Sequence, residues 1–158
     1  MVNFFLDKKI IKYQNFERKI LPTDKQVVLA GGCFDILHYG HLSFLKKAKA
    51  VGGFLIIALE PDDSIQLKGR RPFHNQQERA EILAALEMVD LVLLLPVFKN
   101  DADYLELVKT IKPQIIAVSE KDINYQKKAK QAQEIGIEIK IVIPLLDKFS
   151  SSRLISQL

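Results

Sequence analysis

The feature that most constrains this chain is the repeated alternation of short apolar runs with amphipathic segments. Five runs rich in Val, Ile, Leu and Ala are separated by stretches in which apolar residues recur at helical spacing. Continuous apolar runs of this length are typical of strands covered on both faces. The pattern therefore predicts an α/β fold: a five-stranded, mainly parallel sheet, doubly wound by helices in the Rossmann-like manner.

The predicted elements follow one another from about residue 25 to the end of the chain. Strands are expected at 26–33, 54–59, 90–95, 114–118 and 137–143, and helices at 41–51, 75–88, 101–111, 123–135 and 150–158. Residues 1–24 form a polar N-terminal arm, in which one helix ending near Leu21 is expected. A length of 158 residues suits one such domain, spanning residues 25–158.

Composition narrows the class of protein further. The longest apolar run, residues 91–98, is interrupted by Pro96 and is far shorter than the roughly 20 residues of a membrane-spanning helix. The single cysteine cannot form an intrachain disulfide, and the N-terminus lacks the pattern of a signal peptide. We therefore expect a cytoplasmic protein without membrane contact.

The net charge of +4 favours phosphorylated ligands but does not indicate nucleic acid. One basic cluster, Lys68 with Arg70 and Arg71, is accompanied by a single aromatic residue, Phe73. RNA binding usually interleaves several aromatic residues with the basic ones. No nucleic-acid partner is therefore expected.

The turn after the first predicted strand is where a doubly wound sheet binds its ligand. There the sequence reads G-G-C-F-D-I-L-H-Y-G-H over residues 31–41, so that His38 and His41 flank Gly40 as a helix begins. Imidazole N–H groups, a closely approaching backbone and the positive end of a helix can together bind a triphosphate. Taken singly, each of these residues has a structural alternative. Gly32 could have no role beyond shaping the turn, and each histidine could be an ordinary loop or helix residue.

This turn resembles the signature of the cytidylyltransferase-like HxGH nucleotidyltransferase superfamily. The resemblance continues in L-K-G-R-R-P at 67–72 and in E-R followed by I-L-A-A-L-E-M-V-D at 78–90, which are similar to the pattern of ADP-heptose synthases. Glycerol-3-phosphate cytidylyltransferase belongs to the same superfamily. The resemblance covers most of residues 27–158 and implies the HxGH nucleotidyltransferase fold.

The resemblance also implies roles for individual residues. His38, His41 and Lys68 would be catalytic, since they would stabilise the charge that develops on the nucleotide phosphates. Arg70 or Arg71 would assist on phosphate, and Arg79 would hold phosphate from the following helix. The remaining predicted nucleotide- or phosphate-binding residues are Gly32, Cys33, Phe34, Asp35, Gly40, Ser150, Ser151 and Ser152.

Several of these assignments have a purely structural alternative. Asp35 could orient a metal-bound water or only stabilise the turn, and the serine run could be a plain helix cap. The thiol of Cys33 is expected to be a small core group and not a nucleophile. Tyr125 with Lys127 and Lys128 could line the substrate edge or form a solvated helix face.

The implied reaction transfers a nucleotidyl group, AMP being favoured, from ATP or CTP to a phosphorylated sugar-like small molecule with release of pyrophosphate. Mg²⁺ or another divalent cation would assist, with metal ligands that the sequence leaves unknown. The alternatives are a CTP-dependent enzyme acting on glycerol 3-phosphate or an amino-alcohol phosphate, and a nucleotide-binding protein without turnover. A homodimer is possible.

Overall fold

The computed structural model describes residues 7–120, 122–144 and 156. Its strands are β1 (Ile10–Lys12), β2 (Gln26–Gly32), β3 (Gly53–Leu59), β4 (Leu91–Leu94), β5 (Ile115–Ser119) and β6 (Glu138–Ile143). Its α-helices are α1 (Tyr39–Ala50), α2 (Asp62–Gln66), α3 (Gln76–Ala84), α4 (Asp101–Ile111) and α5 (Tyr125–Ile135). Within these ranges no helix has the length and apolarity needed to cross a membrane.

All pairings between these strands are parallel, and the order across the sheet is β1-β4-β3-β2-β5-β6. The predicted α/β class and doubly wound parallel sheet are confirmed, and strands β2 to β6 lie where the five apolar runs were expected. The predicted helix at 150–158 falls almost entirely outside the described residues. A short helix not predicted from sequence, α2, follows β3.

The strand count of five is wrong, because the N-terminal arm supplies a sixth strand. Residues Ile10–Lys12 pair with β4 in register Ile11↔Leu93, and 3-10 turns flank this strand where an α-helix was expected. Phe16 and Leu21 are buried in the same hydrophobic core as β4. The described part of the arm is therefore an edge of the sheet.

Alternate residues of each central strand enter two separate cores. In β3, Leu55 and Ile57 pack on the side that also buries Leu45 of α1. Ile56 lies on the other side, in the core that contains residues of α4 and α5. This alternation follows from the period of two along a strand, and it explains why the strands read as continuous apolar runs.

Local signals in the sequence set the helix ends. Asn75 caps α3 in a reciprocal capping box with Glu78, and the side chain of Asn100 caps α4. Gly136 ends α5 in the left-handed region, at φ 70°. These ends fix where the connecting loops leave the helices.

Strand β2 lies at the topological switch point of the sheet. Its neighbours are β3, which follows it through α1, and β5, which arrives through α4 from the opposite face. The loops beyond the carboxyl ends of β2 and β5 therefore diverge to opposite faces and leave a crevice between them. The H-Y-G-H segment lies at this edge.

A fully buried arginine, Arg79 of α3, joins the loops at this edge. Its guanidinium donates to the carbonyls of Cys33 (2.5 Å), Glu60 (3.0 Å) and His74 (3.1 Å), and to the carboxylate of Asp62 (2.6 Å). The predicted contact of Arg79 with phosphate is therefore corrected. The guanidinium instead fixes the ends of β2 and β3 relative to α2 and α3.

Substituting Arg79→Ala should lower the free energy of unfolding by about 3 kcal/mol, because it leaves the Asp62 carboxylate and three carbonyls without their donor. Arg71→Ala, at an exposed position in the neighbouring loop, removes the same charge and should change this free energy by less than about 0.5 kcal/mol. Urea unfolding measures both. Equal losses in the two variants would contradict the role assigned to Arg79.

Candidate active site

The turn between β2 and α1 has a strained backbone. Phe34 lies in the left-handed region at φ 46°, a conformation that bulky residues rarely adopt. Its ring covers Gly32 so closely that a Cβ on Gly32 would lie 2.9 Å from a ring carbon. Gly32 and Phe34 therefore shape the turn together, since only glycine fits beneath the ring.

His38 caps the N-terminus of α1. Its Nδ1 accepts hydrogen bonds from the backbone N–H groups of Gly40 (3.1 Å) and His41 (3.4 Å). A neutral imidazole whose Nδ1 accepts must carry its proton on Nε2. The cap therefore selects the tautomer in which Nε2–H is free to act as a donor.

His41 lies directly beside His38. The two rings stack with centroids 3.8 Å apart and an interplanar angle of 21°, and the ring of Phe34 is 5.2 Å away. Among the described residues, Nδ1 of His41 has no well-formed hydrogen bond although it is buried.

Both imidazoles are held neutral at pH 7. Burial lowers the pKa of His41 to about 4, with a further decrease from His38 and a partial offset from the Ile36 carbonyl. Burial also lowers the pKa of His38. Neutral rings can stack without charge repulsion, so the pair presents N–H donors and no fixed positive charge.

Asp35 joins this turn to the loop before α3. Its buried carboxylate accepts from the N–H groups of Phe73 (2.9 Å) and His74 (3.1 Å) and forms an ion pair with Arg70. Burial alone would raise the pKa of Asp35, but these bonds outweigh it and the net pKa is lowered. Of the two roles considered for Asp35, the structure supports the stabilisation of the turn.

Lys68 reaches back over the same turn from the loop that follows α2. Its Nζ lies 3.5 Å from Sγ of Cys33, and in the described part of the chain no carboxylate forms an ion pair with it. Cys33 is half-buried and not a core residue, contrary to the expectation from sequence. The ammonium group of Lys68 is thus available to an anionic ligand beside the turn.

A cavity of about 400 Å³ opens next to Lys68. It lies between the carboxyl half of the central strands and helices α4 and α5. Its apolar floor consists of Leu29, Ala58, Leu95, Leu107, Val108 and Ile116, and its polar wall includes Glu60, Ser64, Lys68, Asp101, Tyr104, Asn124, Lys127, Lys128 and Gln131. Lys127 and Lys128 therefore border the cavity, which was one of the two alternatives for them.

The histidine pair does not itself line the cavity. Gly31, Gly32 and Cys33 line the cavity, whereas His38 and His41 lie beyond them at the start of α1. The structure thus brings Lys68 and the turn backbone to one side of the cavity, and the imidazoles lie a few residues further along the same turn. Ser150, Ser151 and Ser152 lie outside the described residues.

Sequence analysis missed the polar cluster inside the cavity. Glu60 accepts hydrogen bonds from the hydroxyls of Tyr104 (3.0 Å) and Ser64 (2.9 Å). Glu60 is the first polar residue after the apolar run of β3, and a position at the carboxyl end of a central strand was a usable signal. Tyr104 gave no such signal, because it lies in an ordinary amphipathic helix.

Several known proteins are similar to this chain in sequence. A family model described as cytidylyltransferase-like matches residues 29–157. The bifunctional protein HldE of Campylobacter fetus is 39% identical over 93% of this chain and 33% of its own length. The protein of the same name from Helicobacter hepaticus is 39% identical over 98% of this chain and 31% of its own length. The chain thus spans about a third of these curated relatives.

Solved structures give the same result for the fold. The lipopolysaccharide core biosynthesis protein of Thermoplasma volcanium superposes with a TM-score of 0.62 at 27% identity, over 77% of this chain and 96% of that one. A pantoate-beta-alanine ligase from Francisella tularensis superposes with a TM-score of 0.64 at 18% identity, over 92% and 74% of the two chains, and so shows likeness of fold alone. The chain therefore belongs to the cytidylyltransferase-like family of nucleotidyltransferases, as the H-Y-G-H turn predicted.

Proposed function

We propose that this chain transfers a nucleotidyl group, with AMP favoured, from a nucleoside triphosphate to a phosphorylated sugar-like molecule and releases pyrophosphate. The observation that carries the proposal is the position of Lys68. Its ammonium group contacts Cys33 of the histidine turn and also lines the cavity. One cation thus lies beside both the histidine turn and the cavity, so that a phosphate bound at each could meet next to it.

The nucleotide phosphates bind at the N-terminus of α1 in this proposal. His38 offers Nε2–H because its Nδ1 is engaged by the helix backbone. The dipole of the 12-residue helix α1 adds positive potential at the same point. Neutral donors suit this place, since they bind an anion without the cost of burying a charge beforehand.

The acceptor occupies the cavity with its phosphate towards Lys68. One phosphate oxygen attacks the α-phosphorus of the triphosphate in line as the bond to the bridging oxygen of pyrophosphate breaks, and pyrophosphate leaves with the electron pair. No residue of the chain needs to form a covalent intermediate. Lys68 and the imidazole N–H groups lower the barrier by orienting the phosphates and stabilising their growing charge.

The proposal includes a divalent cation such as Mg²⁺ that binds together with the triphosphate. Such an ion is usually held mainly by phosphates and water, with one or two carboxylates. It would neutralise phosphate charge. The proposal also places the enzyme in the cytoplasm, where nucleoside triphosphates are made, and includes a homodimer.

The preference for AMP and for a sugar-like acceptor has two supports. The K-G-x-x-R-P and E-R segments of residues 67–90 resemble those of ADP-heptose synthases, and the Thermoplasma volcanium structure bears the name of a lipopolysaccharide core biosynthesis protein.

A screen of ATP and CTP against sugar, polyol, flavin and amino-alcohol phosphates tests the reaction. We expect pyrophosphate release above background for ATP with a sugar phosphate. Faster release with CTP would overturn the preference for AMP. Release with no pair, while ATP still binds in calorimetry, would favour the alternative of a nucleotide-binding protein without turnover.

Lys68→Ala should reduce the rate of pyrophosphate release at least about 100-fold, the usual cost of removing one group that stabilises the transition state. His41→Ala should do the same. Lys130→Ala is the matched control, since it removes the same charge from an exposed site of α5 outside the cavity. Circular dichroism should match the unsubstituted protein in all three. Near-normal turnover in Lys68→Ala would remove its catalytic role.

The neutral state of His41 makes stability depend on pH. Its pKa is about 4 in the folded protein and about 6.5 in an unfolded chain. Between these values the unfolded state binds more protons, so the folded state loses stability as the pH falls. This titration leaves the free energy of unfolding almost unchanged above pH 7 and lowers it by on the order of 3 kcal/mol near pH 4.

The variant His41→Asn lacks this titration, so its stability relative to the unsubstituted protein should improve steadily from pH 7 to pH 4.5. Asp35 titrates in both proteins and cancels from the comparison. Urea unfolding at intervals of half a pH unit measures the difference. Parallel curves for the two proteins would show that His41 is not held neutral.

A further inference from the structure

The cavity contains a carboxylate whose position is fixed from three directions. The backbone N–H of Glu60 donates to the Gly32 carbonyl (3.0 Å), and the Glu60 carbonyl accepts from the buried Arg79 (3.0 Å). Its side chain accepts from Tyr104 at both oxygens (3.0 and 3.2 Å) and from Ser64 (2.9 Å). A carboxylate anchored in this way presents a defined surface to the cavity.

The side chains of Glu60, Tyr104 and Ser64 can accept further hydrogen bonds from a ligand but have no proton left to donate. The phenol of Tyr104 and the hydroxyl of Ser64 each carry one proton, and both protons are given to Glu60. Burial and the neighbouring Glu60 raise the pKa of Tyr104, so the phenol keeps its proton. The lone pairs that remain, on the carboxylate and on both hydroxyl oxygens, require a ligand that brings donors.

The charges around the cavity distinguish between the possible donors. Lys68, Lys127 and Lys128 line it, against the carboxylates of Glu60 and Asp101. Lys127 is paired with Asp101 (3.0 Å), and Lys128 with an aspartate outside the cavity lining, Asp122 (2.6 Å). An ammonium group on the ligand would share the cavity with the ammonium group of Lys68, which has no carboxylate partner among the described residues, and a second anionic group would face Glu60. A neutral hydroxyl meets neither repulsion.

We propose that Glu60 and Tyr104 are specificity-determining residues that accept hydrogen bonds from neutral hydroxyl groups of the acceptor. This inference rests on the proposed function, because the acceptor phosphate is taken to lie at Lys68. It predicts discrimination against acceptors that lack hydroxyl groups, and against those whose body carries an ammonium, carboxylate or second phosphate group.

The kinetic test uses Glu60→Gln and Tyr104→Phe, with the hexose phosphate that turns over best in the screen. Loss of a hydrogen bond to a charged group should raise KM for this acceptor about 10- to 100-fold. The KM for nucleotide and kcat should change less than about threefold. Glu106→Gln, at an exposed position of α4, and Tyr13→Phe, whose hydroxyl contacts Thr110, are matched controls outside the cavity.

Monodeoxy analogues of the same hexose phosphate distinguish recognition of single hydroxyl groups by Glu60 from a general effect of Glu60 on the packing of the cavity. With the unsubstituted enzyme, at least one analogue should have a higher KM than the parent hexose phosphate. With Glu60→Gln, the KM values of that analogue and of the parent should be nearly equal. If Glu60→Gln weakens parent and every analogue by the same factor, the proposal is overturned. A preference for phosphoethanolamine that disappears in Glu60→Gln would also overturn it, in favour of an ammonium group.

Binding can be measured without turnover through Cys33, the single cysteine of the chain. Its thiol is half-buried and lines the cavity, so an acceptor bound there should slow its alkylation by iodoacetamide. We expect glucose 6-phosphate to protect the unsubstituted protein, and to protect Glu60→Gln at least about 10-fold less at the same concentration. The ratio with and without ligand, taken within each variant, cancels any change in intrinsic reactivity.

The two assays fail in different ways. If no nucleotide and acceptor pair releases pyrophosphate, the proposed function fails, while protection of Cys33 that depends on Glu60 would still support recognition of hydroxyl groups. If pyrophosphate is released but neither the analogues nor the alkylation depend on Glu60, the proposed function stands and this inference is overturned.

Discussion

The structure of the ligand-binding edge depends on one buried cation. Arg79 has no exposure to solvent and donates to the ends of β2 and β3, to α2 and to the loop before α3. A guanidinium can serve four acceptors at once because its donors are rigid and coplanar. The turn with the histidines and the loop with Lys68 are therefore held by a common centre, and not only by their own local hydrogen bonds.

The sequence was sufficient to predict the five longer strands of the sheet but not its short edge strand, β1. The five longer runs are each apolar enough to indicate a buried strand on their own, and their parallel arrangement follows from the helices between them. Strand β1 has only three residues, Ile10–Lys12, and its pairing partner lies some 80 residues further along the chain. A segment so short is a strand because of tertiary pairing, and no local pattern reveals it.

The same distinction applies to the site. The H-Y-G-H spacing located the turn because its geometry is encoded within 11 consecutive residues. The state of each side chain was not encoded there. Arg79 and Asp35 are charged residues that sequence analysis assigns to ligands, yet both are buried among backbone groups. The role of Glu60 arises only when Tyr104, 44 residues away, is brought beside it.

The arrangement of charges in the cavity favours one orientation of a bound ligand. Lys68, which has no acidic partner among the described residues, lies at the wall next to the histidine turn, and the acceptor-only cluster around Glu60 belongs to the same cavity. A ligand with a phosphate and several hydroxyl groups can satisfy both features in one orientation, whereas reversal would place its phosphate against a carboxylate. In-line attack on a phosphorus atom requires such an orientation. Selection of the acceptor and alignment of its phosphate would then have the same physical origin.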